Sequence, residues 1–139
     1  MLSSRTIKIS ALILGGVAVP MQGWPESPAD FLGQFEKEAR SAAAFNNFSS
    51  QRGEQFFKTR HGNEWSCASC HTENPTGAGK HAKTGKRIEA LAPAANAKRF
   101  TSAREVEKWF RRNCNDVLAR ECTAGEKGDV LAWLISVRN

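Results

Sequence analysis

Valine and isoleucine are sparse in this chain, and no stretch alternates apolar with polar residues at a period of two. That removes the usual sequence basis for a β-sheet. Methionine is absent beyond position 21, since Met1 and Met21 are the only two. A thioether is therefore unavailable to any metal held by the body of the chain. After Val19 no apolar run is long enough for a membrane helix. There is no internal repeat and no low-complexity tract. Aromatic residues do not alternate with the scattered Lys and Arg as they would on a nucleic-acid platform. The basic balance reads as a soluble surface without a nucleic-acid partner, and a basic face can also dock an acidic redox partner.

What is present begins with MLSSRTIKISALILGGVAVPMQG. Arg5 and Lys8 form a positive region, Ile9 to Val19 is almost wholly apolar, and Gly23 has small or polar neighbours. These are secretory-signal proportions, so residues 1–23 are expected to be a signal peptide that delivers the remainder outside the cytoplasm. The alternative is a permanent N-terminal anchor, because the cleavage site is not a clean A-x-A. Residues 24–139 then form one small domain with a single modest core, which a covalent or metal staple would help to hold. Arg5 and Lys8 leave with the signal, so the formal charge falls from +6 to +4.

Four segments carry helical signals, which makes the expected fold all-α. The first opens at Ser27-Pro28, an N-cap followed by proline, and places Phe31, Leu32, Phe35 and Ala39 on one face. The second starts at Ser49 or Ser50 and ends by Gly62. It holds Phe56 and Phe57, with Gly53 allowing another helix to come close. A long loop from about Thr72 to Phe100 contains Pro75, Gly77, Gly79, Gly85 and Pro93 and cannot be regular helix. A loop of that length in a compact domain needs a task, such as wrapping a ligand. The third helix starts at Thr101 or Ser102 with the stripe Val106, Trp109, Phe110 and Asn113. The fourth opens with a capping box at Thr123–Glu126 and continues through Val130, Leu131, Trp133, Leu134 and Val137.

The stretch EWSCASCHTEN contains Cys67, Cys70 and His71 in the C-x-x-C-H pattern. A zinc site would have to recruit Cys114 and Cys122, whose spacing matches no common zinc knuckle. A thioredoxin-like thiol pair needs a preceding strand and a βαβ context, and a simple disulfide is a further option. The pattern most directly signals c-type haem attachment, in which each cysteine sulfur adds to one vinyl group and the adjacent histidine ligates iron. His71 is then the proximal ligand, and the long loop wraps the haem.

The position opposite His71 is open to several candidates. Most high-potential class I cytochromes c place methionine there, and this chain has none to offer. His61 lies too close to the motif. His81, in the wrapping loop, would give a bis-histidine iron, or is a solvated loop histidine beside Lys80 and Lys83. Asn113 continues an apolar stripe, where a buried amide needs a partner such as iron or its bound water. It could equally end its helix by bonding its own backbone. Cys114 as a thiolate is a lesser option. Eight residues of straight helix would put Cys114 and Cys122 about 12 Å apart, too far to bridge, so pairing would require the helix to stop just after Asn113. Trp109, Phe110 and Ile88 are candidate haem-packing groups. Lys86, Arg87 and Arg99 either meet propionates or solvate the surface. No titratable general acid is evident near Asn113.

CASCH, TGKRIEALAP at 84–93 and VEKWFRRNCNDVLARECTAGEKGDVLAWL at 106–134 together resemble the SHP family of oxygen-binding class I cytochromes c. The RNCN segment with its second cysteine pair is more specific to that family than CASCH. The resemblance implies a class I cytochrome c-like fold, a small helical domain wrapped around one covalently attached haem c. It implies that Asn113 ligates ferric iron, that Cys114 and Cys122 form a disulfide, and that the asparagine leaves on reduction so that oxygen, nitric oxide or carbon monoxide can bind. It also implies a periplasmic location, with a dihaem cytochrome c and a membrane b-type cytochrome as electron partners. Residues 24–60 match only loosely. The TGK at 84–86 lacks the proline found there in many class I cytochromes, so the usual carbonyl partner of His71 cannot be assigned. Three functions follow: an electron carrier that binds diatomic gases, a small enzyme reducing oxygen, peroxide or nitric oxide, and a gas sensor.

Overall fold

Ser27 starts the first helix by capping it reciprocally with Asp30, and the computed structural model describes the chain from just before that point, over residues 26–42 and 45–138. The segment expected to be a signal peptide lies outside the described residues. The Ser27 amide donates to Asp30 Oδ2 at 2.8 Å, and Pro28 occupies the first turn, where a missing N–H costs nothing. Helix α1, Pro28–Ala39, buries Phe31, Phe35 and Ala39. Helix α2 is Ser50–Lys58, and a single turn, α3, is Ala68–His71. Two short strands, β1 Gly79–Lys80 and β2 Arg87–Ile88, pair antiparallel with Gly79 opposite Ile88. Helix α4 is Ala103–Leu118, and α5 is Ala124–Ser136. The all-α expectation holds, and the wrapping loop is irregular apart from this one hairpin.

α5 is the central helix. Val130, Leu131, Trp133 and Leu134 are buried, because α1 packs on one side and α2 on the other. The α2 crossing is close, as Gly53 suggests in the sequence. A Cβ at residue 53 would stand 1.9 Å from the Asp129 carbonyl oxygen. Asp129 reinforces the crossing from α5: its carboxylate accepts from the Ser49 amide at 2.7 Å and from Arg52 at 2.7 and 2.9 Å. This buried anchor joins residues about 80 apart and is invisible to local pattern. One apolar cluster contains Phe31, Phe35, Val106 and Leu131, and a second contains Phe57, Val130, Trp133 and Leu134. Phe100 and Phe110 touch both. Phe110 meets Phe35 edge to face at 5.6 Å, a favoured aromatic geometry.

The third helix does not stop after Asn113. It runs one further turn to Leu118, then Ala119 takes a left-handed conformation (φ 56°) and the chain reverses. Cys122 returns alongside that last turn and forms a disulfide with Cys114 across a Cα separation of 5.5 Å. The requirement for a stop at Asn113 fails because the reversal needs only to begin after Cys114, and a left-handed cap supplies it a turn later.

Gly53→Ala is expected to lower stability by at least about 2 kcal/mol, because the added methyl group meets backbone and not a flexible side chain. Urea denaturation measures the loss, and an unchanged midpoint would contradict the close crossing. A second expectation concerns acid. Arg120 beside Glu126, and the Thr123 cap with it, hold the Glu126 carboxyl below its ordinary value of 4.5. The stability this contributes is present above pH 4.5 and is lost as pH falls through the depressed folded value. Glu126→Gln should therefore flatten the fall in melting temperature on acidification through and below that pH. A slope matching the wild type would show that the cap carries no such linkage.

Candidate functional site

Cys67, Cys70 and His71 lie on and just before α3, which is fixed from two sides. Ser69 Oγ accepts the Ser66 amide at 3.0 Å, and the hairpin packs on the other flank. A Cβ at Gly79 would stand 2.0 Å from the Cys70 carbonyl oxygen, so only glycine lets β1 come this near. The Ala82 amide also points at Cys70 Sγ, 3.3 Å away.

Two adjoining cavities, of about 300 and 430 Å³, open between this motif and α4. Both are lined by Cys67, His71, Arg99, Trp109 and Asn113. The smaller is walled chiefly by aromatic and aliphatic groups, among them Phe56, Phe57, Leu91, Phe100 and Phe110. The larger reaches the hairpin, where Ile88 and Cys70 line it. The candidate packing groups Ile88, Trp109 and Phe110 therefore all face one cleft. Trp109 differs from its buried stripe-mate Val106. It is 43% exposed at the cleft rim, its indole N–H donating to Glu105 at 3.0 Å and its ring flanked by Lys108 and Arg112.

His71 is the chemically distinctive group. Burial, and then the charge of Arg99, push its imidazole down to about 4, so it is neutral at physiological pH with a lone pair available. Its Nδ1 is buried without a hydrogen-bond partner, the one such side-chain atom among the described residues. Ligating histidines ordinarily donate this second N–H, and the missing loop proline is matched by a missing acceptor. Burial pushes the Cys67 thiol up to about 12, which suits neither a redox thiolate nor a zinc ligand. Cys114 and Cys122, tied to each other, cannot complete a four-thiolate site. Among the described residues no cluster of three or more His, Cys, Asp or Glu is placed to hold a metal ion. A neutral buried imidazole, two cysteines on one helical turn and an apolar cleft beside them fit a covalent haem.

The remaining candidates sort by their partners. His81 lines the larger cavity, but its Nδ1 faces the amides of Lys83 and Thr84, each at 3.3 Å, and its hairpin packs on the α3 side. His61 is turned away, bonded to the Phe56 carbonyl at 2.7 Å and stacked on the Phe56 ring. Asn113 faces the cleft from α4, in the residue before the disulfide. Arg99 donates to the carbonyls of Ala90 and Glu89 at 2.9 and 2.7 Å, holding the loop at the cleft edge. Lys86 and Arg87 line the larger cavity from exposed positions. Two carboxylates, Glu105 and Asp116, also line the cleft with Asn113, where the sequence showed no acid. Asp116 follows Asn113 at i+3, a spacing that could have revealed it. Phe57, whose ring centroid is 6.2 Å from that of His71, was legible only as a helix-face residue.

A helical domain folded around one C-x-x-C-H turn and an apolar cleft is a c-type cytochrome, with covalently attached haem. The comparisons give the family. Residues 43–134 match a model described as a domain of unknown function, DUF1924. Cytochrome c-type protein SHP of Cereibacter sphaeroides is 40% identical over 135 residues, covering 94% of this chain and 97% of that protein. Cytochrome c'' of Methylophilus methylotrophus is 49% identical over 80 residues, 58% of this chain and 56% of that one. The structure of oxidised SHP, an oxygen-binding cytochrome c, superposes with a TM-score of 0.73 at 40% identity, over 82% of this chain and all of that one. This chain belongs to the SHP family of cytochromes c.

Cys67→Ala or Cys70→Ala should leave one thioether each. The haem then stays on the denatured polypeptide while the pyridine haemochrome band moves to longer wavelength, and the double variant should retain none. Covalent haem in the double variant would place the attachment elsewhere.

Proposed function

We propose that this chain is an exported, periplasmic cytochrome with one haem c. In this reading it carries electrons and binds diatomic gases at an iron position that Asn113 occupies in the ferric state and leaves on reduction. The observation that carries the reading is the placement of Asn113 in both halves of the cleft that holds His71, with no methionine in the body of the chain and with His81 engaged by backbone amides. The SHP structure is of an oxygen-binding cytochrome c, and the solution structure of cytochrome c'' bears on haem-ligand detachment. Both support ligand exchange at the same kind of site.

Haem c, when bound, supplies the iron that takes up the electron and offers a sixth position. His71, neutral because it is buried, would ligate the iron. Asn113 would offer a neutral amide, weaker than imidazole or thioether and so more readily released on reduction. The Cys114–Cys122 link beside it limits how far the backbone can follow, so release falls to the side chain. Once free, the Asn113 amide would serve as a hydrogen-bond donor to oxygen, nitric oxide or carbon monoxide. Trp109 and Phe110, on the same helix as Asn113, would restrict water there. Glu105 is taken up by Lys108 and Trp109, and Asp116 is exposed, so electron carriage with reversible binding is favoured over catalytic turnover. The electron donors that fit this reading are a dihaem cytochrome c and a membrane b-type cytochrome.

Asn113→Ala should abolish the six-coordinate ferric spectrum of the holoprotein and keep carbon monoxide binding in the ferrous form. His81→Ala should change neither. Asn113→His should give a ferric low-spin spectrum and slow carbon monoxide binding. A ferric spectrum that responds to His81 and ignores Asn113 would overturn the assignment, as would a ferrous protein inert to carbon monoxide.

A further inference from the structure

Among the described residues Trp109 is the one large apolar side chain left exposed, and the polar contacts that fix it come from its own helix. Its indole N–H donates to Glu105 Oε2 at 3.0 Å, one turn back on α4. Lys108 Nζ lies 4.9 Å from the ring centroid and the Arg112 guanidinium 5.2 Å, so two cations flank the indole. Lys108 also donates to Glu105 Oε2, at 3.2 Å. Those bonds, from Lys108 and then from Trp109, hold the Glu105 carboxyl below its ordinary value of 4.5, so the acceptor is ionised at neutral pH. Glu105, Lys108, Trp109 and Arg112 are three or four residues apart, which makes them neighbours on the helix surface. The clamp on the indole is therefore complete within α4 and needs no other element.

The place where the ring is held gives the clamp a use. Val106 and Phe110 of α4 line the smaller cavity, and Arg112 and Asp116 line the larger. Of the α4 residues, Trp109 and Asn113 alone line both. They are four residues apart, so they are adjacent on one helix face. A ring that is partly in solvent and borders both cavities forms the rim beside Asn113. Phe110 is not its equal: it meets Phe35 and Phe100 at ring distances of 5.6 and 6.5 Å and belongs to the core. Arg99 also lines both cavities, but its guanidinium is bonded to the carbonyls of Ala90 and Glu89. We propose that Trp109, positioned by Glu105, sets the size of ligand that reaches haem iron beside Asn113, admitting diatomic gases and turning away ligands with a bulky tail. Steric access is one of the properties by which a distal pocket selects what binds. The proposal rests on the gas-binding reading above and adds to it the residue that confers selectivity. Glu105 acts through Trp109 and is a positioning residue.

Stopped-flow association of n-butyl isocyanide and of carbon monoxide with the ferrous holoprotein tests this, read as the ratio of the two rates. Trp109→Ala should raise the ratio about tenfold or more, and Glu105→Ala about threefold, because the ring is then present but unlatched. Glu105→Gln, which keeps an acceptor for the indole, should restore the wild-type ratio. Trp109→Phe keeps a ring for the haem to pack on and loses the bond to Glu105, so it should match Glu105→Ala and carries the test if the alanine variant fails to hold haem. In the diamagnetic carbon monoxide complex, the Trp109 indole N–H should lose its protection from hydrogen exchange in Glu105→Ala and keep it in Glu105→Gln. A ratio indifferent to residue 109 would overturn the proposal, as would a rise of both rates by the same factor, which marks general opening without selection by size. Uptake of carbon monoxide separates the two readings. A wild type that binds neither ligand ends the gas-binding reading and this proposal with it, whereas carbon monoxide binding with an unchanged ratio ends this proposal alone.

Discussion

The fold depends on a cleft that the polypeptide does not close by itself. Phe56, Phe57, Leu91, Phe100 and Phe110 direct apolar surface into the space between the attachment turn and α4. Interiors are close-packed, so apolar walls of this kind call for a group to pack against. A domain this small buries a modest core, so a covalently attached haem would supply interior that the polypeptide alone does not. The α1–α2–α5 arrangement, with its Gly53–Asp129 crossing, is the frame against which that group would be clamped.

The two walls of the cleft differ in how they are held. On the α3 side, Gly79 brings the hairpin against the Cys70 backbone and Arg99 ties the loop to itself through carbonyls. On the α4 side, a disulfide closes a short loop directly after Asn113, while Trp109 rests in contacts made with its own helix. His71 thus sits in a braced turn. Asn113 projects from one helix whose end is pinned by the disulfide. The charge distribution follows the same division, with the cations gathered in residues 80–99 and the rest of residues 24–139 net negative.

The helices were legible because their signals are local. Ser27-Pro28, the Thr123–Glu126 box and the 3.6-residue spacing of Phe31, Phe35 and Ala39 each concern neighbours in the chain. C-x-x-C-H was legible because the chemistry demands that spacing. The end of α4 was not: whether a helix stops at Asn113 or Leu118 turns on a left-handed residue at Ala119, and alanine carries no such preference.

The sequence by itself determined the helical class, the attachment turn and the lack of a methionine to face it, since each follows from residue type or short spacing. Only the tertiary structure decided which polar groups share the cleft. His81 and Asn113 both line the larger cavity, but the His81 Nδ1 faces backbone amides whereas Asn113 lines both halves of the cleft. The Arg52–Asp129 anchor and the company of Asp116 and Glu105 were settled in the same way. The physical reason is that a side chain's partner is chosen by packing between distant segments, and spacing along one segment carries no record of it.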